Sequence, residues 1–263
     1  MVQVITGHLD NPDSWDCRAE DFRPDLCFHL AWYTEPERFW TSEENLQSVA
    51  STIRFANYLA TVGCMRLVIT GTCAEYDLVS ERLSENNAVK PRSLYAAAKL
   101  AAYLIVDQIA AASELELTWA RLFHIFGPYE DARRLVPSII RKLLLDQEAE
   151  VSEGEQIRDY LHVVDVVEAL VAVAESGMIG VVNIGSGEPV MLNSIIRDIG
   201  SIIGKPELIR FGAIPYSEEE AMFICANNQR LTRNTRWEQQ FDLKQGLRNT
   251  IEWWRETLPV RAI

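Results

Sequence analysis

Residues 92–105 read RSLYAAAKLAAYLI, a run of strong helix formers set between two apolar runs, MRLVIT at 65–70 and LTWARLF at 117–123. Strand, helix and strand at this spacing predict a βαβ unit and a parallel sheet. The alternation extends outward. VQVIT (2–6) and LCFHLA (26–31) read as strands before it, and GVVNIG (180–185) as a strand after it. Thr41 with Glu44 fits a capping box that opens a helix to about Val62. Leu46, Val49, Ile53, Ala56 and Ala60 recur there at helical spacing, and Gly63 ends it. Asn11-Pro12-Asp13 fits the start of a short helix. Further helices are expected near 135–145, 163–176, 192–203 and 243–256. The fold class expected is α/β, a doubly wound parallel sheet with a smaller C-terminal lobe. The sheet domain takes 1–123 plus about 159–185, and the lobe 124–158 plus 186–263. Ligands bind at the carboxyl edge of such sheets.

Composition narrows the partners. A net charge of −13 over 263 residues argues against nucleic acid and against an anionic membrane surface. Asp107 interrupts one apolar stretch, and Asp165 and Glu168 another, so no membrane span is expected. Cys17, Cys27, Cys64, Cys73 and Cys225 lie far apart with no C-x-x-C, which reads as reduced thiols. With no signal peptide in view, a cytoplasmic location is expected. His8, His29, His124 and His162 show no metal-ligand spacing, so no metal is expected.

Tyr95 and Lys99 stand four positions apart with only alanines between them. On a helix that spacing means one face, one turn apart. A tyrosine ordinarily holds its proton to about pH 10. A nearby ammonium favours the phenolate and lowers that pKa, so the pair can move a proton to or from an alcohol oxygen. Tyr-x-x-x-Lys also arises by chance on helices. Thr72 follows the strand MRLVIT, where a hydroxyl can bond the same reacting oxygen or simply satisfy local backbone. Trp237, Trp253 and Trp254 sit at spacings expected of packing.

Taken in order, GTCAEY (71–76), LYAAAK (94–99), RLFHIFGP (121–128), IRDYLHVVDV (157–166) and VVNIGSG (181–187) resemble the extended short-chain dehydrogenase/reductase family. Within it the chain is similar to the NAD-dependent epimerase/dehydratase group, which acts on nucleotide sugars. The resemblance implies a Rossmann-like cofactor domain and a substrate-binding lobe. It implies Tyr95 as the proton-transfer residue, Lys99 as the residue that lowers its pKa and holds the nicotinamide ribose, and Thr72 as the hydroxyl that steadies the reacting oxygen. It places the backbone of Ala31 and Trp32 against the cofactor, Phe123 beside the nicotinamide, and Asn45 in support of the site. His124 stands at a substrate-contacting position usually held by asparagine. Arg158 matches the arginine that pairs with the substrate diphosphate, a geometry suited to guanidinium. NAD or NADP and a nucleotide sugar are the implied ligands. A homodimer through the tyrosine helix is also implied, with Ala102, Ile105 and Ile109 as apolar outer positions.

Departures from the family pattern bear on chemistry. The glycine-rich turn that opens the family is absent, and VQVIT followed by GHLDN resembles a later element. The first βαβ unit is expected to be missing. His8 and Leu9 then fall where the cofactor's adenine is contacted. GSG at 185–187 lacks the third glycine and carries Pro189 in the turn, so it reads as a loop beside the substrate lobe. Cys73 and Ala74 stand where a 4,6-dehydratase has Asp-Glu. Water elimination then lacks its carboxylates, while GTCAEYD (71–77) and LIRFGAIPY (208–216) resemble deoxysugar ketoreductases. The resemblance implies 4-ketoreduction of an NDP-4-keto-6-deoxy sugar as the favoured reaction and C4 epimerisation of an NDP-sugar as the alternative. From another class, a non-catalytic family member or binding protein remains open.

Overall fold

The computed structural model describes residues 2, 4–11, 22–78, 81–217 and 220–258. The helix expected from Asn11-Pro12-Asp13 lies outside them. The chain divides into two compact units. The first comprises 1–77, 85–122 and 170–182, and the second 78–84, 123–169 and 183–263. Residues 159–169, expected with the sheet, cluster with the second unit, which is no smaller than the first.

In the first unit, β1 (Leu26–His29) pairs parallel with β2 (Arg66–Thr72), and β2 pairs parallel with β3 (Glu116–Leu122). A fourth strand, β8 (Gly180–Ile184), lies next to β3. Every residue of β2 is buried, which explains a near-continuous apolar run where a half-exposed strand would alternate. The strand expected at 2–6 does not form among the described residues, where Val2 is 91% and Val4 84% exposed. A strand needs a ladder partner, and the order β1-β2-β3-β8 places none beyond β1.

Helix α1 (Glu44–Thr61) opens two residues later than the Thr41 capping box predicts. Thr41 and Ser42 instead close turns onto the Arg38 carbonyl, and Glu43 takes the N-cap position without a side-chain bond. Gly63, at φ +80, follows the helix as expected. Helix α2 (Leu94–Ala111) starts where Ser93 accepts the Ala96 N–H at 3.1 Å. It is long and apolar enough to cross a membrane by length and composition. Its Ala96, Ala98, Lys99, Ala102 and Val106 are buried, and it packs on α1, β2 and β3. Ala102 therefore belongs to the core of its own unit and is not an outer position. Leu104 and Ile105 are the exposed large apolar residues of this helix.

Gly71, inside β2, has no room for a side chain. A Cβ there would clash with the Trp119 indole nitrogen and lie 2.8 Å from Glu75 Oε1. Gly71→Ala is expected to cost ~1–3 kcal/mol through overpacking. Urea unfolding measures it, and an unchanged midpoint would contradict the packing described.

The second unit is held by helices α3 (Leu135–Leu144), α5 (Leu192–Ile203) and α7 (Leu243–Thr257). Ile139, Ile140, Leu143, Ile195, Ile199, Leu247, Ile251 and Trp254 form its core. Short ladders carry the loops between them. The parallel pairs are β4 (His124–Phe126) with β7 (Tyr160–His162), and β5 (Ala149–Glu150) with β10 (Ile209–Arg210). β6 (Ile157–Arg158) pairs antiparallel with β9 (Val190–Met191). Helix α4 (Val163–Glu175) follows β7, and the short α6 (Gln229–Asn234) precedes Trp237, which is buried.

Candidate active site

The end of β2 organises the first unit's polar residues. Lys99 is 2% exposed, and its Nζ donates to the Thr70 carbonyl at 2.7 Å. The same nitrogen lies 4.0 Å from the centroid of the Trp32 ring. Burial lowers the Lys99 pKa to about 7, with the Glu75 carboxylate opposing the shift. Between that value and the ordinary lysine range near 10.4, the unfolded chain binds a proton here that the folded chain does not. Stability at this residue therefore falls as pH drops through the window. Lys99→Met is expected to be more stable than wild type at pH 7 by ~1–2 kcal/mol, net of the lost bond to Thr70. The gain should vanish by roughly pH 10.5. Thermal melts at the two pH values decide it, and a variant that melts lower at both refutes it.

Tyr95 sits one helical turn before Lys99 and is half-buried. Its ring stands edge-on to Phe39 at 4.9 Å and to Trp40 at 5.6 Å, and its backbone N–H donates to the Trp40 carbonyl. Thr72 is the last residue of β2, where the sequence placed it just beyond the strand. Its Oγ1 accepts the Ala74 N–H at 3.2 Å and its own N–H donates to Glu75 Oε1 at 2.8 Å, a capping box for the single turn 73–75. The local-backbone role is thus real, yet the hydroxyl proton is not consumed by it, because that oxygen acts there as acceptor.

Trp32 was expected to meet the cofactor through its backbone. Its indole covers Lys99 and donates to Asn45 Oδ1 at 2.9 Å. Asn45 is fully buried, and its amide donates to the Phe39 and Ser42 carbonyls at 2.7 and 2.9 Å. Both of its N–H donors are thus spent on bracing the 39–42 turn, and its carbonyl oxygen on Trp32. Ala31 is exposed just past β1. His8 and Leu9 lie in a turn closed by the Asn11 N–H on the His8 carbonyl.

Sequence reasoning missed the centre of this unit. Glu75 is fully buried and Arg121 is 2% exposed. Glu75 Oε2 accepts Arg121 Nε at 2.7 Å, and Oε1 accepts Trp119 Nε1 at 3.0 Å as well as the Thr72 N–H. The Arg121 guanidinium lies 4.3 Å from the Tyr76 ring centroid. The signal was present in LTWARLF, because a charge inside a buried strand demands a partner.

The second unit holds the expected substrate residues. Phe123 is buried and its N–H donates to the Ile184 carbonyl. The His124 ring lies 5.4 Å from the Tyr160 ring, tilted by 39°, and its Nδ1 is buried with no hydrogen-bond partner. Burial, reinforced by the positive charges of Arg158 and Arg134, lowers its pKa to about 3, so the ring is neutral at pH 7. Arg158 is buried, donating to the Ile157 carbonyl at 2.9 Å and to Glu220 at 2.5 Å. A diphosphate would compete with Glu220 for this guanidinium. Asp159 accepts from the Ser186, Gly187 and Ala226 N–H groups at 2.8–3.0 Å. The Ser186 and Gly187 amides are therefore committed to a carboxylate and are not offered to a phosphate.

A sequence profile of the NAD dependent epimerase/dehydratase family matches residues 2–185. The chain belongs to this family. It is 22% identical to a UDP-glucuronate 4-epimerase of Thermodesulfobacterium geofontis, over 80% of this chain and 66% of that protein. It is 31% identical to the CDP-abequose synthase of Salmonella typhimurium, over 50% of this chain and 46% of that one. The chain spans less than two thirds of the length of either relative. Among solved structures it is similar to MoeE5 in complex with UDP-glucose and NAD, with 26% identity and a TM-score of 0.86, covering 97% of this chain and 86% of that one. The family's members are enzymes of nucleotide-sugar epimerisation, dehydration and reduction, and the fold is Rossmann-like with a parallel central sheet.

The first unit fits the nicotinamide end of the family's cofactor. An ammonium carries three donors, and among the described residues Lys99 uses one of them on the Thr70 carbonyl. At the pyrophosphate end, no G-x-G-x-x-G turn occurs in the sequence.

Proposed function

We propose that this chain is an NAD(P)-dependent oxidoreductase that reduces the C4 ketone of a nucleotide-linked 4-keto-6-deoxy sugar. The observation that carries the reading is the buried Lys99 ammonium, tied to the end of β2 one helical turn from Tyr95 and two residues from Thr72. The nicotinamide, when bound, supplies or accepts hydride at the sugar carbon. Tyr95 gives its hydroxyl proton to the oxygen that gains charge, or takes it back in reverse. Thr72 directs its hydroxyl proton to that oxygen. Lys99 holds positive charge beside the phenol and its remaining donors are available to the ribose. Arg158 and the neutral His124 are assigned to the nucleotide sugar, with Arg158 exchanging Glu220 for the diphosphate. The free thiols Cys27, Cys64, Cys73 and Cys225 accord with a cytoplasmic location.

Reduction is favoured over elimination because Cys73 and Ala74 supply no carboxylate beside Thr72. A 29% likeness, over 50% of this chain, to a dTDP-4-dehydro-6-deoxy-D-allose reductase of Streptomyces bikiniensis supports the same choice. C4 epimerisation is the second reading, supported by the likeness to a UDP-glucuronate 4-epimerase. The purified chain is to be given a 4-keto-6-deoxy nucleotide sugar with NADH or NADPH, and separately UDP-glucose with NAD. Stoichiometric loss of nicotinamide absorbance supports reduction. Interconversion of UDP-glucose and UDP-galactose without net cofactor change selects epimerisation. Neither reaction, together with no saturable NADH or NADPH fluorescence change, leaves the binding-protein reading.

A further inference from the structure

Three consecutive residues at the end of β2 each meet a different part of one polar assembly. The Thr70 carbonyl receives the Lys99 ammonium. Gly71 leaves no space between its backbone and Trp119 or Glu75. The Thr72 N–H donates to Glu75 Oε1. Glu75 in turn takes the Trp119 indole and Arg121. We propose that the buried Glu75–Arg121 pair is a positioning device for the proton-transfer site, fixing from behind the strand end on which Lys99 and Thr72 both depend. The proposal rests on the function assigned above. Neither residue touches the reacting atoms in that mechanism, so both act through others.

Two physical effects separate here. The geometric one is the carboxylate's grip on the Thr72 N–H. A shift of about 1 Å in a reacting group can cost on the order of 100-fold in rate. The electrostatic one is the field of the carboxylate at Lys99, which favours the ammonium. The other groups facing Lys99 do not replace it. His29 on β1 is buried and, through that burial and the Lys99 charge, lowered to about 4, so it is neutral at pH 7. Trp32 offers only its ring face, Tyr95 on α2 itself carries no formal charge as the phenol, and Arg121 on β3 is cationic. Glu75 is thus the anion that supports this cation among the described residues.

The test uses the full chain and two substitutions. Glu75→Gln removes the charge but keeps an oxygen, while Glu75→Asp keeps the charge but shortens the reach. Lysine ε-carbon NMR titration of the cofactor-free protein reads the Lys99 ionisation directly. Glu75→Gln is expected to lower its midpoint by about one pH unit, and Glu75→Asp to leave it within a few tenths. In the 4-keto-sugar assay, Glu75→Asp is expected to reduce kcat by about tenfold or more with KM within about twofold. Glu75→Gln should also move the alkaline limb of the kcat profile to lower pH, and adding Lys99→Arg should remove that limb. A Lys99 midpoint unmoved in Glu75→Gln, or a Glu75→Asp enzyme with wild-type kcat, overturns the proposal. If Glu75→Gln does not fold, the Glu75→Asp kinetics still decide. Failure of the function reading looks different, because the wild-type chain would then turn over no 4-keto sugar while the NMR titration still reads the Lys99 midpoint in both variants.

Discussion

Tyr95→Phe is expected to lower kcat for the proposed reduction by ~10²–10⁴-fold, the range assigned to a positioned general acid. The substitution removes one oxygen and leaves the ring where it is. Phe39 and Trp40 pack edge-on against that ring at 4.9 and 5.6 Å, and the backbone bond to the Trp40 carbonyl does not involve the hydroxyl. Folding stability should change by ~1 kcal/mol, an ordinary loss for a substitution that deletes one hydroxyl. KM for the sugar nucleotide should stay within about threefold, because a group that acts only in the transition state lowers kcat and kcat/KM together. Steady-state kinetics and a denaturation curve on the same preparation decide the matter. A folded Tyr95→Phe enzyme with near wild-type turnover would falsify the proton-transfer role and, with it, the reductase mechanism.

How much was legible in the sequence follows from which interactions are local. The helix carrying Tyr95 and Lys99 was read to within two residues at its start, because Ser93 and the alanine run are local signals. MRLVIT was read as a strand but ended too early. Its last two residues, Gly71 and Thr72, are held by Leu122 across the ladder and by Glu75, and neither partner is signalled by the residues themselves. The Thr41 box failed for the converse reason. Its spacing is right, but the chain there is bound into turns on Arg38, with Asn45 holding the Ser42 and Phe39 carbonyls from the far side. VQVIT had the composition of a strand and no neighbour to pair with among the described residues. Two-residue ladders such as β6 with β9 carry too few positions for periodicity to show. The polar assembly behind the site is not legible in GTCAEY itself, where Glu75 stands between Thr72 and Tyr76 with no local sign of burial. Glu75 between them and Arg121, some 46 residues on, become a pair only in three dimensions.

That pair gives the largest stability effect expected in the molecule. Arg121→Leu strips the cation from a carboxylate that is fully buried, and removing one partner of such a pair typically costs ~3–5 kcal/mol. Glu75→Leu should cost about as much, because it strands the Arg121 guanidinium and also leaves the Trp119 and Thr72 N–H groups without an acceptor. The double variant removes both charges at once and is left only with the two unpaired N–H groups. Its loss should fall short of the sum of the singles by ~1–3 kcal/mol, the coupling expected of groups in one network. It should not return to wild type, which separates this assembly from ion pairs that a hydrophobic substitution replaces without loss. Guanidinium unfolding of the four proteins completes the cycle. Strict additivity, or an Arg121→Leu loss below about 1 kcal/mol, would mean that the strand end is held by its ladder alone. Lys99 and Thr72 would then owe their placement to β1 and β3 and not to the carboxylate between them.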